Sequence, residues 1–456
     1  MNTSVAKYFI YPAFTKITRP EVLEYLKFLR EYQWLPLEEL RLLQLNSLKK
    51  LLDFAVKYSS FYRERIGAYY KTRECNSPFD LLESIPVLTK DQIQEERGRI
   101  LCRNSPVSRY FENHTGGSTG KMLTFFQDSS YDTWRIASEL LAFEWLGFKT
   151  GDRIAKIWGS QEDISGKRNF RVAISSWLMN RRFLNAFGMT EKSMMEFFKT
   201  LSSFRPKILM GYATALKVFA NFLKNNGLNL PSPEAVISTA ETIFEEDRKL
   251  LAEVFHCHVI NRYGCREVGL IAQECPEQHN LHIFSLNNIV EILDRERMPV
   301  DKNHRGNVVI TNINNHIFPF IRYNIEDIAV KGADKCGCGR SFPVLESVLG
   351  RDVDLLLTPE GEIVDGEFFT HIFYGVPGIK QYQLIQRSLY EIIIKIVKTD
   401  AFEMDLCQSI EDKIRRKFGR DLKLSFQFIE SIPIPSSGKY RFCISNIGKL
   451  DSYRDQ

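Results

Sequence analysis

No stretch of this chain reaches the roughly 18 consecutive apolar residues that a bilayer-spanning helix requires. The opening residues, Met1 to Lys16, carry aromatics and two lysines but neither a continuous apolar core nor a small-residue cleavage site, so no secretory leader is expected. Charge of one sign is scarce: 61 Lys and Arg against 56 Asp and Glu leave a net +5, scattered rather than striped, which gives no support to nucleic-acid binding. Internal repeats and low-complexity segments are absent. The nine cysteines are odd in number and mostly scattered, unlike a disulfide framework, and point to a reducing compartment. A cytoplasmic protein is expected, with work near a membrane surface left open. A Walker loop is also missing. Its pattern ends in Gly-Lys-Ser/Thr, whereas Gly120-Lys121 is followed by Met122.

What is present reads as an ordinary globular chain. Hydrophobic residues make up 44% and charged residues 26%, and 456 residues are too many for one core. From Pro20 to about Gly67 the apolar residues recur at helical spacing (Val22, Leu26 and Leu29, then Leu40 to Ala55). A helix is expected from Tyr131 to Leu146, capped by Gly147. Short apolar runs then alternate with helices: Ile154 to Trp158, Lys192 to Leu201, Ile208 to Gly211, Ala213 to Asn225, Ala235 to Ser238, Glu245 to Phe255 and His258 to Ile260. That alternation predicts an α/β layer structure. Residues 289–330 read as strand-rich. The tail from Gln381 to Ile447 reads strand, strand, helix, strand, a separate α+β unit. The expected division is a helical segment over 1–70, a large domain over 71–350 and a small domain over 351–456.

The most informative motif is His114-Thr-Gly-Gly-Ser-Thr-Gly-Lys121. Without Cβ atoms, a glycine-rich turn lets backbone N–H groups converge on an anion, and the hydroxyls and Lys121 add donors and charge. It suits a polyphosphate; the bland reading is a flexible surface turn. Asn261-Arg-Tyr-Gly-Cys-Arg-Glu267 follows an apolar run, and a tyrosine and glycine at a strand end can form a flat slot for a base. Asp327 can accept hydrogen bonds from ribose hydroxyls. Lys439 sits on the Pro/Ser/Gly-rich stretch Pro433 to Arg441. Singly, each has a plain alternative: Tyr263 in a core, Asp327 in a turn, Lys439 a solvated charge.

In series, Thr115 to Lys121, Tyr263-Gly-Cys-Arg-Glu267, Arg322-Tyr…Asp327, Gly350-Arg351…Asp354 and Ser437-Gly-Lys439 resemble the adenylate-forming (acyl-CoA synthetase-like) superfamily. Within it the chain is most similar to the phenylacetate–CoA ligase family and its branch from capsule and exopolysaccharide gene clusters. Tyr58-Ser-Ser-Phe-Tyr-Arg63 fits that branch as well, and the likeness covers essentially the whole chain. It implies a large multi-layer α/β adenylation domain and a small mobile α+β C-terminal domain. It also implies two steps: ATP and a carboxylic acid give an acyl-adenylate, then a thiol, most often CoA, displaces AMP. By motif match Thr115, Gly116, Gly117, Ser118, Thr119, Gly120 and Lys121 hold phosphates, while Thr119 and Glu267 support Mg²⁺. Tyr263 and Gly264 face adenine beside Ala240-Glu241-Thr242. Asp327 and Arg351 bind ribose, and Lys439 reaches the α-phosphate. Two departures stand out. Glu326 occupies a position usually held by glycine, and the hinge could be Asp352, Val353 or Asp354.

Cysteine placement adds a separate expectation. Cys336 and Cys338 flank one glycine in a tight knuckle, and with Cys275 and one histidine they form a Cys₃His set suited to structural Zn²⁺. Similar relatives carry a histidine at the offset of His282, which favours it over His279; free thiols in turns are the alternative. Cys265 lies beside the expected nucleotide slot. His114 could contact a nucleotide or cap its turn, His256 and His258 alternate like strand residues, and His371 and Tyr374 could face an acceptor.

Three functions compete: a CoA ligase, adenylation with transfer to a carrier protein or to an amine or hydroxyl of a polysaccharide precursor, and a non-catalytic nucleotide-binding scaffold. The acyl pocket is expected between about Trp134 and Ala240. Trp145, Trp158, Trp177, Phe187 and Tyr212 there suit an apolar or aromatic acid. Relatives of this kind are often dimers, so a homodimer is an expectation.

Overall fold

In a computed structural model the described residues are 20–67, 75–115, 123–159, 180–186, 188–351, 356–364, 366–373, 376–433 and 442–447. They divide into two compact units. One is Met1–Ile325 with Ala329–Val348, the other Glu326–Ile328 with Leu349–Gln456.

The first unit opens with helices α1 (Glu21–Tyr32), α2 (Leu37–Tyr58) and α3 (Ser60–Ile66). Val22, Leu26 and Leu29 fall on one face of α1 and are buried there, as their spacing dictates. Two short helices follow, α4 (Pro78–Glu83) and α5 (Lys90–Ile100). Thr89 starts α5 with a capping box: its hydroxyl accepts from Gln92 N–H at 3.3 Å, and the Gln92 side chain accepts from Thr89 N–H at 3.1 Å. The hairpin of β1 (Tyr110–His114) and β2 (Thr124–Asp128) pairs His114 with Thr124. Asp128 then caps α6 (Ser129–Glu144), one carboxylate oxygen accepting from Tyr131 N–H at 2.8 Å. Its other oxygen accepts from the N–H groups of His316 and Ile317 at 2.8 and 3.2 Å, tying the helix start to a distant loop. Left-handed Gly147 (φ 73) ends this segment, with Phe148 N–H returning to Phe143 O.

The centre is an eleven-stranded sheet in the order β10-β11-β12-β13-β9-β8-β7-β6-β5-β3-β4. Its parallel part comprises β3 (Ile154–Trp158), β4 (Arg181–Asn185), β5 (Ile208–Tyr212), β6 (Ala235–Thr239) and β7 (His258–Cys265). Helices α7 (Glu191–Phe204), α8 (Ala213–Asn225) and α9 (Glu245–Phe255) alternate with these strands. Every residue of β5 and β6 is buried, which is why both open on continuous apolar stretches, Ile208 to Met210 and Ala235 to Ile237. The rest is formed by β8 (Gly269–Cys275), β9 (Gln278–Ile283), β10 (Asn288–Leu293), β11 (Arg305–Asn312), β12 (Tyr323–Lys331) and β13 (Val344–Arg351).

The second unit holds a small two-stranded sheet of β14 (Leu356–Leu357) and β15 (Ile363–Val364), then α10 (Gly366–Phe373). Its main sheet has the order β18-β17-β16-β19, from β16 (Ile379–Ser388), β17 (Glu391–Lys398), β18 (Lys423–Phe428) and β19 (Cys443–Ser445). Helix α11 (Asp405–Phe418) buries Ile410, Ile414 and Phe418 in one core with Leu384, Ile392, Ile394 and Ile396.

Two local expectations change. The run at His258 does not stop at Ile260: antiparallel pairing with β8 carries β7 through Cys265, so Tyr263 and Gly264 lie within a strand, at a register shift. His256 is the left-handed cap of α9 (φ 50), not a strand residue.

Candidate functional site

The glycine-rich loop is held at its base. Thr115 N–H donates to Leu123 O and Leu123 N–H donates to the Thr115 hydroxyl, both at 2.9 Å. Gly116 to Met122 lie outside the described residues, as do Trp177, Phe187, Asp352 to Asp354, Tyr374 and Lys439. His114 is occupied next door, its Nδ1 3.0 Å from the Thr124 hydroxyl.

The hairpin that carries this loop is bound to the turn that follows β7 at Arg266 and Glu267. The Gln127 side-chain amide donates to the carbonyls of Arg266 (2.8 Å) and Glu267 (3.1 Å). Arg266 returns a guanidinium bond to His114 O at 3.2 Å. Glu267 is 8% exposed and accepts from the Tyr323 hydroxyl at 3.3 Å. Gly264 has to be glycine, since a Cβ there would meet Gly269 O at 2.5 Å. Tyr263 stays half-buried.

Ala240, Glu241 and Thr242 follow the C-terminal end of β6, whose Thr239 pairs with Arg262 on β7. They therefore border the Tyr263 strand at the carboxyl ends of the parallel strands, the usual place for ligands in such sheets. Ala240 holds a left-handed backbone (φ 68). Glu241 accepts from Thr214 N–H at 2.8 Å and so caps the start of α8.

Asp327 lies half-buried on β12, and Arg351 ends the neighbouring strand β13. Glu326 adopts φ 66. This position thus demands the left-handed conformation that glycine takes freely, and a glutamate takes it here.

Of the aromatics assigned to an acyl pocket, Trp158 and Tyr212 pair with centroids 4.7 Å apart, and the Tyr212 hydroxyl donates to Gly159 O. Trp145 belongs elsewhere. It stacks on Phe284 at 5.0 Å and gives its N–H to Gln33, because it closes the short turn after α6 rather than facing the strand ends.

The cysteine set converges. The ligand atoms of Cys275, His282, Cys336 and Cys338 lie within 4.8 Å of one another. Cys275 Sγ is 3.9 Å from Cys336 Sγ, and Cys338 Sγ is 3.4 Å from His282 Nε2. A tetrahedral zinc with sulfur bonds near ~2.3 Å gives sulfur–sulfur edges of about 3.8 Å, so the set fits that ion. His282 Nδ1 lies 3.2 Å from Phe342 O; with Nδ1 carrying the proton, Nε2 is free to bind metal. Burial pushes the His282 imidazole down to about 4, which keeps it neutral. Left-handed Gly339 (φ 83) turns the knuckle, its N–H returning to Cys336 O. His279, by contrast, has a 78% exposed side chain and lies outside the set. All nine cysteines are free thiols.

Sequence reasoning missed Gln127 and the charged residues Lys156, Glu139 and Arg262. No motif marks them, because their meaning depends on which strand and helix they meet. No helix among the described residues is long and apolar enough to cross a membrane.

Comparison with known proteins agrees with this architecture. Residues 356–446 match the model of the CapK C-terminal domain. Protein CapK of Staphylococcus aureus is 24% identical over 417 residues, 89% of each chain. A phenylacetate–coenzyme A ligase of Thermus thermophilus is 23% identical over 394 residues, 83% of this chain and 86% of its own. Among solved structures, 2-hydroxyisobutyryl-CoA ligase in its postadenylation state with an R3-HIB-AMP ligand superposes with a TM-score of 0.71 over 91% of each chain at 15% identity. The chain is a homologue of CapK and of phenylacetate–coenzyme A ligase, built on the fold of the adenylate-forming ligases.

Proposed function

We propose that this protein is an AMP-forming ligase that activates a carboxylic acid with ATP and passes the acyl group to a thiol, CoA being the first choice. The observation that carries this reading is the pair of hydrogen bonds that the Gln127 side-chain amide donates to the Arg266 and Glu267 carbonyls, which fastens the hairpin of the glycine-rich loop to the end of the Tyr263 strand. The homologous phenylacetate–coenzyme A ligase supports the same chemistry.

In this reading an oxygen of the acid's carboxylate attacks the α-phosphorus of ATP, and the bond to pyrophosphate breaks. The thiol sulfur then attacks the acyl carbon, the bond to AMP breaks, and the thiol proton passes to solvent. Half-buried Tyr263 gives adenine a flat face, with Ala240, Glu241 and Thr242 along its edge. Thr115 and the loop through Lys121 hold the outer phosphates. Asp327 and Arg351 take the ribose hydroxyls. Glu267, nearly buried and acidic, suits a hard cation with Thr119, and Mg²⁺ there would neutralise developing phosphate charge. Lys439 places a positive charge at the α-phosphate, favouring the transition state over the ground state. Cys275, His282, Cys336 and Cys338 leave no open position, so their zinc would be structural and would tie β8 and β9 to the 336–338 knuckle.

The test is ATP–pyrophosphate exchange over a panel of carboxylic acids, followed by CoA addition. Acid-dependent exchange and a CoA thioester support the reading. Exchange without a thioester moves the acceptor to a carrier protein, amine or hydroxyl. The absence of exchange with every acid overturns the ligase assignment.

A further inference from the structure

The face of the central sheet that α6 covers is apolar except in one place. Ile154, Met210, Ile237 and Ile260 pack there with Phe143, Leu146 and Phe148. Lys156 interrupts this layer in register with Met210, and Trp158, two residues on, shares its face. One row further along, Tyr212, Thr239 and Arg262 stand in register across β5, β6 and β7. Above them α6 presents Arg135, Glu139 and Phe143 at four-residue steps, a single stripe.

Glu139 is shared by three cations. Its carboxylate lies 3.5 Å from Lys156 Nζ, 3.6 Å from Arg262 Nη1 and 3.8 Å from Arg135 Nη1. Asp132 is already taken by Arg135 at 2.6 Å. Arg181 on β4 adds its positive field to Glu139 and Lys156. Among the described residues, Arg135, Lys156 and Arg262, with Arg181 nearby, are set against two carboxylates, Asp132 and Glu139. The described residues leave an excess of two positive charges.

Arg262 sits deepest, 5% exposed. Its Nε donates to Gln273 Oε1 at 2.6 Å, its plane covers the Phe143 ring at 4.5 Å, and its Nη1 reaches the Met210 sulfur at 3.9 Å. Its buried Nη2 has no hydrogen-bond partner among the described residues. A buried charged donor left this way is costly, so its retention calls for a ligand. Burial also drives the Lys156 ammonium down to about 8 and Arg262 to about 10, more than Glu139 returns to either. The cluster is not sealed: side-chain exposure falls from 37% at Arg135 through 23% at Glu139 and 14% at Lys156 to 6% at Arg262. It adjoins the strand ends, with Lys156 Nζ 5.8 Å from the Trp158 ring and Trp158 against Tyr212. Arg262 immediately precedes Tyr263.

We infer that this charged cluster binds a second carboxylate of the acid, distinct from the one that is adenylated, so that the substrate class is a dicarboxylic acid. The inference deepens the ligase reading and rests on it. A carboxylate between Lys156 and Arg262 accepts from the orphaned Nη2 and from Nζ. An acid with an apolar tail leaves Glu139 to serve several cations and Arg262 Nη2 without an acceptor, and a site built to pair a charged group discriminates strongly against an analogue lacking it.

The experiment compares straight-chain α,ω-dicarboxylates from three to eight carbons with their monomethyl esters, in ATP–pyrophosphate exchange and in calorimetric titration without ATP. At least one diacid is expected to exceed its monoester at least tenfold in kcat/KM and to bind in the titration. Lys156→Met is expected to bring that ratio close to one and abolish diacid binding, while Lys156→Arg, which keeps the charge, retains the preference. Exchange of monoesters as fast as diacids, or a proportional loss of both in Lys156→Met, overturns the subsite. Diacid binding sensitive to Lys156→Met, without exchange by any acid, supports the subsite and overturns the ligase reading. Neither exchange nor diacid binding overturns both.

Discussion

Cys338 Sγ lies 3.4 Å from His282 Nε2, and the opposite nitrogen of that ring lies at hydrogen-bond distance from the Phe342 carbonyl. This is how a histidine is oriented when it binds a metal through Nε2. Purified protein is therefore expected to carry one zinc per chain by elemental analysis. Cys338→Ser should lower that content severalfold, and chelation should lower the thermal midpoint. Full stability with no bound metal would remove the zinc assignment.

The Gln127 side-chain amide makes two hydrogen bonds to backbone carbonyls, one buried and one partly buried. Gln127→Leu should cost about 1–3 kcal/mol in urea unfolding, since two carbonyls lose their donor. If the glycine-rich loop holds phosphate, the KM for ATP should also rise, by about tenfold or more. A purely structural tie would lower stability and leave that KM unmoved.

Ala240 borders the Tyr263 strand with φ 68, where a Cβ is strained. Ala240→Gly should raise stability by about 1 kcal/mol by relieving that strain. An unchanged or lower urea midpoint would show that the surroundings already absorb it.

Lys439→Ala should fold as the parent does, judged by circular dichroism and thermal midpoint, yet lose at least about a hundredfold of acid-dependent pyrophosphate exchange. Exchange at the parental rate would remove Lys439 from the adenylation step.

Burial raises the Glu139 carboxyl, but Lys156, Arg262, Arg135 and Arg181 together outweigh it and hold it down at about 2, against an ordinary 4.5. A depressed carboxyl contributes stability above its unfolded value and loses it as pH falls through the folded one. The Glu139 contribution, on the order of 3 kcal/mol, should therefore be complete at neutral pH and disappear between pH 4.5 and about 2. Urea unfolding of the parent and Glu139→Gln across that range measures it. A difference that does not shrink toward acid would show that the carboxylate is not the stabilising form.

Much of the scaffold was legible in the chain itself. Helix periodicity placed α8 and α9 at the bounds observed, Ala213–Asn225 and Glu245–Phe255, because each presents one apolar stripe to the sheet and ends where that stripe ends. Buried parallel strands announced themselves as short apolar runs. The knuckle at 336–338 was equally visible, since its spacing sets two thiols side by side, and the structure brings Cys275 and His282 to them. The sequence also flagged Glu326 as the departure at a glycine position, and the backbone there is left-handed.

Local spacing has no access to partners that are far apart in the chain. The extent of β7 depended on β8 arriving to pair with it, and Trp145 joined a different core from Trp158 although both lie in one aromatic-rich stretch. The excess charge around Glu139 exists only because α6 lays its stripe over β3 and β7. Composition and periodicity determined which elements form. The tertiary packing decided which charges cluster together, because Coulomb and desolvation energies depend on distance and burial in space, and neither is written in the order of residues.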